Sequence, residues 1–195
     1  RSAGVRIAAE PTRNRPRPSR AATRRAAAHR TTVPGRCVCA ADLPPEWARA
    51  GQVVEAVRSV YPMSVNAYFA GLIRRPEDAI ARQVIPDSRE IEPSSLDEDP
   101  LTENQQSPVP GIIHRYPDRV IFLVSGRCPI VCRFCMRKRL AGRATGLTPA
   151  EMTAALTYIR GNTAIREVIL SGGDPFMLTD RALDSILAAV CGISH

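Results

Sequence analysis

Val120-Ile121-Phe122-Leu123-Val124-Ser125-Gly126-Arg127-Cys128-Pro129-Ile130-Val131-Cys132-Arg133-Phe134-Cys135 is the stretch on which the fold turns. Its first five residues form an unbroken apolar run too short for a helix. Such a run suits a strand buried on both faces, as in parallel sheets. The cysteine loop follows directly. Downstream, Thr148-Pro149-Ala150-Glu151 carries a capping box, with Thr at the cap and Glu three residues on. Met152, Leu156 and Ile159 then mark one helical face, and Gly161 ends that helix. Val168-Ile169-Leu170 is a second strand, followed by Ser171-Gly172-Gly173-Asp174-Pro175. A further helix is predicted from about Asp180, with Leu183, Ile186, Leu187 and Val190 facing inward. Residues 119–191 thus read strand, loop, helix, strand, loop, helix, the opening of an α/β domain with a parallel sheet. Loops that follow parallel strands share one face of the sheet. The cysteine loop and the Ser171–Asp174 loop should therefore converge.

Upstream, residues 44–86 carry helical signals. Pro44-Pro45-Glu46-Trp47 resembles a helix start, and Val53, Val54, Val57 and Val60 recur at helical spacing until Pro62. Asn66 to Ile73 is a second short helix. Pro76-Glu77-Asp78 opens a third, with acids where the helix dipole favours them. Residues 87–118 are polar and proline-rich, and they read as ordered loop or extended arm. The organisation expected is a tail over 1–42, a helical region and arm over 43–118, and two β/α units over 119–195.

The cysteine loop carries the chemistry. Three thiolates spaced four and three residues apart, Cys128, Cys132 and Cys135, can hold three corners of a 4Fe–4S cubane. With no fourth local ligand, one iron stays open for a substrate or cofactor. The loop is rich in cations, Arg127, Arg133, Arg137 and Arg139, which are expected to stabilise thiolates and an anionic cluster. The competing readings are a zinc site, with His114 or Cys191 as the added ligand, and three ordinary buried cysteines. Glycines in Ser171-Gly172-Gly173-Asp174 allow a ligand to approach the backbone closely, and they equally suit a tight strand-to-helix turn.

Composition narrows the classes. The chain of 195 residues has a net charge of +8, but residues 1–36 hold ten Arg and a single acid, Glu10. That leaves residues 37–195 near neutrality, so the basic balance belongs to the tail and nucleic-acid binding is not expected of the folded part. The tail is rich in Arg, Ala and Pro without apolar periodicity and reads as disordered. A transit peptide, a nucleic-acid tail and translated upstream sequence compete for its role. Cys37-Val-Cys39, at its edge, has no neighbouring ligands and reads as incidental. No run approaches ~18 apolar residues, so no membrane helix is expected, and no secretory signal is visible. A cytoplasmic location follows as the expectation, with cysteines used for metal or redox chemistry rather than disulfides.

Taken together, His114-Arg115-Tyr116-Pro117-Asp118-Arg119-Val120, Cys128 to Cys135, Arg137-Lys138-Arg139 and Leu170 to Pro175 resemble the lysine 2,3-aminomutase family of radical S-adenosylmethionine enzymes. Tyr61-Pro62-Met63, Asp99-Pro100-Leu101 and Ser107 to Gly111 resemble its N-terminal region, so the likeness covers about residues 44–195. The resemblance implies the start of a partial (β/α) barrel behind a helical region. It implies three cofactors: a 4Fe–4S cluster, S-adenosylmethionine and pyridoxal phosphate. The implied reaction moves the amino group of L-lysine from C2 to C3, giving β-lysine. Alternatives are a 2,3-aminomutase acting on glutamate or another amino acid, a β-lysine enzyme linked to elongation factor P, and a non-catalytic metal-binding module. By position, Cys128, Cys132 and Cys135 would hold the cluster. Phe134, Ser171, Gly172, Gly173 and Asp174 would meet S-adenosylmethionine. Arg115, Tyr116 and Arg119 would meet pyridoxal phosphate, and Arg137 would hold the substrate carboxylate. Met136 stands where Thr is common in the family. The family's Schiff-base lysine has no counterpart, because Lys138, the only lysine, sits in the cluster loop. The chain is therefore expected to be an N-terminal fragment, inactive by itself. The partners implied are an amino acid substrate, an electron donor such as flavodoxin or ferredoxin, and further copies of the full-length protein.

Overall fold

Strand β2 (Arg119–Ser125) is the axis of the structure. In this computed structural model, which describes residues 48–93, 97–141 and 146–195, β2 lies between β1 (Ile112–Tyr116) and β3 (Glu167–Gly172). The tail, Cys37-Val-Cys39 and the Pro44–Trp47 helix start lie outside the described residues. β2 and β3 run parallel, with Val120 beside Val168 and Phe122 beside Leu170, as the strand–helix–strand pattern predicts. β1 runs antiparallel to β2, with Ile112 beside Phe122. The sheet is therefore mixed. β1 falls inside the stretch expected to be loop or extended arm. It has only Ile112 and Ile113 before His114-Arg115-Tyr116, and Pro117-Asp118 lacks the Asn-Gly type of hairpin signal.

Among the described residues there are five α-helices: α1 (Ala48–Arg58), α2 (Ala67–Ala70), α3 (Ala79–Val84), α4 (Pro149–Gly161) and α5 (Asp180–Cys191). The capping box at Thr148 forms as read, with Thr148 Oγ1 accepting from Glu151 N–H and the Glu151 carboxylate accepting from Thr148 N–H. Asn66 and Asp78 cap α2 and α3 in the same manner, each carboxyl or amide oxygen accepting a first-turn N–H. The main core joins Ile112, Val120, Phe122 and Val124 to Ala155 and Ile159 of α4, Ile165, and Ile186 of α5.

Three expectations change. β2 is buried on one face only. Val120, Phe122 and Val124 point into the core, while Ile121 and Leu123 are half-buried on the other side, where a cavity lies. On α5 only Ile186 is buried, and Leu187 is 42% exposed, because the helix meets the sheet along a single narrow stripe. Val54 and Val57 are fully buried, but Val60 lies past the end of α1 and is exposed.

Candidate functional site

The two loops after the parallel strands converge. Gly173 N–H donates to the Ser125 carbonyl, and Asp174 N–H donates to the Arg127 carbonyl at 2.7 Å. The approach is so close that side chains are excluded. Gly172 has φ +119°, and a Cβ there would fall on the Ser125 carbonyl; one on Gly173 would fall on the Arg127 carbonyl. The glycines thus serve contact between the two loops' backbones. Asp174 uses one carboxylate oxygen to cap the turn Pro175–Met177, accepting from Phe176 N–H at 2.9 Å.

Cys128, Cys132 and Cys135 are half-buried free thiols on this loop. Burial pushes the Cys128 thiol up first, with added repulsion from Cys135, Asp174 and Cys132, while the Asp174 N–H works the other way. Burial and Cys135 likewise raise Cys132. Cys135 thus adds to the rise at both Cys128 and Cys132. Among the described residues, no group of three or more His, Cys, Asp or Glu gathers closely enough to grip one metal ion. Zinc draws its ligands to about 2.3 Å of one point, whereas a cubane spreads its thiolates over separate corners. The extra zinc ligands considered from sequence stand elsewhere. His114 Nδ1 is 2.6 Å from the Tyr158 hydroxyl, and Cys191 is exposed at the end of α5.

The loop's cations were expected to favour thiolates, and here the structure differs. Arg133 donates through Nε and Nη2 to Glu90, at 3.0 and 2.6 Å, and through Nη1 to the Pro62 carbonyl at 2.8 Å. Lys138 donates to the same Glu90 at 2.7 Å and lies over the Tyr61 ring. Arg137 grips Glu103 through Nε and Nη2, at 2.8 and 2.7 Å, and offers Nη1 to Ser171 Oγ at 3.3 Å. Arg139 pairs with Asp99 at 2.9 Å. Four loop cations thus pair with three acids of the arm, Glu90 serving two of them. Burial alone would raise Glu90, but Arg133, Lys138 and the Asp87 N–H outweigh it and hold its carboxyl below the usual range.

Glu90, Asp99 and Glu103 are given no role in pairing the loop's cations by the sequence reading. A signal existed: residues 87–103 hold seven acids and one Arg, opposite in sign to the cysteine loop. Glu103 is 5% exposed. It follows Thr102, a β-branched residue in the left-handed region with φ +51°.

Arg115, Tyr116, Arg119 and Arg137 line one cavity of about 500 Å³ on the half-covered face of β2, together with Glu103 and Met136. This lies within the range of small-molecule sites. The Tyr116 ring has the Arg115 and Arg119 guanidinium carbons each 5.9 Å from its centre. Arg119 also meets Asp118 at 3.2 Å and Glu167 at 3.5 Å. Phe134 is 70% exposed on the cysteine loop. No helix among the described residues is long and apolar enough to cross a membrane.

Comparisons with known proteins show what the chain is similar to. The family model of the Radical SAM superfamily matches residues 122–193. The L-lysine 2,3-aminomutase of Methanococcus maripaludis is 41% identical over 147 residues, covering 73% of this chain and 34% of the relative. That of Clostridium subterminale is 40% identical, covering 73% and 35%. That of Bacillus subtilis is 40% identical over 138 residues, covering 69% and 29%. The chain spans about a third of the length of the curated relatives it matches. It carries a Radical SAM domain and is related in sequence to L-lysine 2,3-aminomutases over about 70% of its length.

Proposed function

We propose that this chain is part of a radical S-adenosylmethionine 2,3-aminomutase that moves the amino group of L-lysine from C2 to C3. The observation that carries the reading is the contact of the cysteine loop with the Ser171–Asp174 loop at the ends of two parallel strands, with Arg137 joined to Ser171 beside a cavity. The donor set fits the cofactors. Three half-buried thiols on one loop suit a cluster with one open iron. Arg115 and Arg119 beside Tyr116 give the cavity wall the cationic character that a phosphate needs.

When bound, the cluster and S-adenosylmethionine supply the radical, and pyridoxal phosphate supplies the path for amino-group migration. The protein's part is to bind and orient. Cys128, Cys132 and Cys135 hold the cluster. The exposed Phe134 ring offers a stacking face for the adenine. The backbone of Gly172 and Gly173, with Ser171 and Asp174, borders the methionine portion. Arg115, Tyr116 and Arg119 hold the pyridoxal phosphate. Arg137 is fixed on its Nε and Nη2 side by Glu103, and the Nη1 N–H not spent on Ser171 would meet a substrate carboxylate. Lys138 is tied to Glu90 and Tyr61, which removes it as a carrier of pyridoxal phosphate. An external flavodoxin or ferredoxin would supply the electron, in the cytoplasm, to a homo-oligomer of the whole protein.

The test is an EPR spectrum of anaerobically reconstituted, dithionite-reduced chain, with and without S-adenosylmethionine. A reduced 4Fe–4S signal that shifts when the cofactor is added is the expected result. Well-folded protein that takes up zinc and shows no cluster signal would remove the radical reading.

A further inference from the structure

Glu90 stands in a segment to which the family resemblance assigns no role, yet it is the most heavily bonded side chain beneath the cysteine loop. Its two carboxylate oxygens receive four donors. Oε1 accepts from Arg133 Nε and from the Asp87 N–H at 3.1 Å. Oε2 accepts from Arg133 Nη2 and Lys138 Nζ. The pair is sheltered from water: the Arg133 side chain is 5% exposed and that of Glu90 11%. Arg133 sits between Cys132 and Cys135 in sequence, and Lys138 lies three residues beyond Cys135. One acid therefore grips the loop on both sides of its last ligand.

The backbone follows the same route. Val131 N–H donates to the Ser64 carbonyl and Arg133 N–H to the Gln83 carbonyl, both at 2.8 Å. Glu90 is itself held by a capping box in the turn Ser88–Glu90, with Asp87 as the cap. Buried carboxylates with every lone pair engaged fix geometry, because any movement leaves a charge unpaired away from water.

We propose that Glu90 is a positioning residue for the cysteine loop: by pairing with Arg133 and Lys138 together, it holds the Cys132–Cys135 turn in a ligand-ready form before iron arrives. The functional consequence rests on the reading of Cys128, Cys132 and Cys135 as cluster ligands. Without Glu90 the thiols are still present, but the loop that carries them loses its anchor, so the cluster forms less completely and is stripped more readily.

The experiment compares the wild-type chain with Glu90→Gln and Lys138→Met in two measurements. Hydrogen exchange of the metal-free protein reads the loop directly. Exchange at the Val131 and Arg133 amides should rise by at least about tenfold in Glu90→Gln, the scale of losing one partner of a buried ion pair. Lys138→Met should raise it less, because the Arg133–Glu90 bonds survive. The β2 amides serve as the folding control and should not change. Unchanged loop exchange in Glu90→Gln overturns the proposal. So does a rise shared equally by β2 if Lys138→Met leaves the loop unaffected. The second measurement is iron and sulfide retained during chelator challenge after anaerobic reconstitution. Faster loss from Glu90→Gln than from wild type supports the proposal, and equal loss overturns it. A wild-type chain that assembles no cluster would instead overturn the ligand assignment, while loop exchange still decides whether Glu90 holds the loop.

Discussion

The sheet unit and the arm–loop contact are held together by different forces. Around β2 the chain buries Ile112, Phe122 and Ile159 almost completely, and neighbouring strands satisfy the backbone. Between the arm and the cysteine loop, Glu90, Asp99 and Glu103 pair with Arg133, Lys138, Arg139 and Arg137. Apolar contact is non-directional and tolerates small shifts. Paired charges away from water do not, so they specify one arrangement. The region that must present three thiols at set positions uses the directional kind. The scaffold that carries it uses the other.

The largest expected break in this contrast is Phe122→Ala. Truncating a fully buried aromatic in the centre of β2 should cost about 3–5 kcal/mol, read as a lower midpoint of chemical denaturation with both regions lost together. Glu103→Ala should separate the two. It leaves the Arg137 guanidinium without its carboxylate, a loss of about 3 kcal/mol, but felt in the loop. Hydrogen exchange at residues 135–141 should quicken while β2 keeps its protection. A uniform loss across both regions would show that they are one cooperative unit.

Acid should open the arm–loop contact before it harms the core. Glu90 and Asp99 have carboxyls held below their ordinary values of 4.5 and 3.8, Glu90 by the bonds that outweigh its burial and Asp99 mainly by the Asn104 N–H. The Arg89 guanidinium holds Asp87, the cap of the Glu90 turn, at about 2 against an ordinary 3.8. A lowered folded-state pKa contributes stability that is complete above the ordinary value and is lost as the pH falls through the lowered one. For Asp87 that window runs from 3.8 down to about 2. Pepsin cleavage near Phe134 and Leu140 should therefore begin within it, and cleavage already complete at pH 5 would contradict the assignment. The smallest effect belongs to Thr148→Ala, which removes one helix cap at about 1 kcal/mol. It should lower thermal stability slightly without altering loop exchange.

The helices and strands that rest on local chemistry could be read in advance. Thr148 and Glu151 signal their capping box within four residues, and Val120 to Val124 can hardly be other than a strand. The convergence of the two loops followed from strand–helix–strand order alone, because parallel strands place successive loops on one face. β1 was less legible, since Ile112 and Ile113 give too short a pattern and its strand character comes from pairing with β2. The exposure of Leu187 was hidden for a similar reason: helical periodicity marks which side is apolar, but not how much of it finds a neighbour.

By itself the sequence determined the thiol spacing, the strand–helix–strand order over 119–191 and the family resemblance, because each is written in residues adjacent or nearly adjacent along the chain. Only the tertiary structure decided what the loop's cations do. Arg133 meets Glu90 across 43 positions and Arg137 meets Glu103 across 34. No local rule pairs charges so far apart, and sheltering from water, which gives those pairs their rigidity, exists only once the arm has folded against the loop.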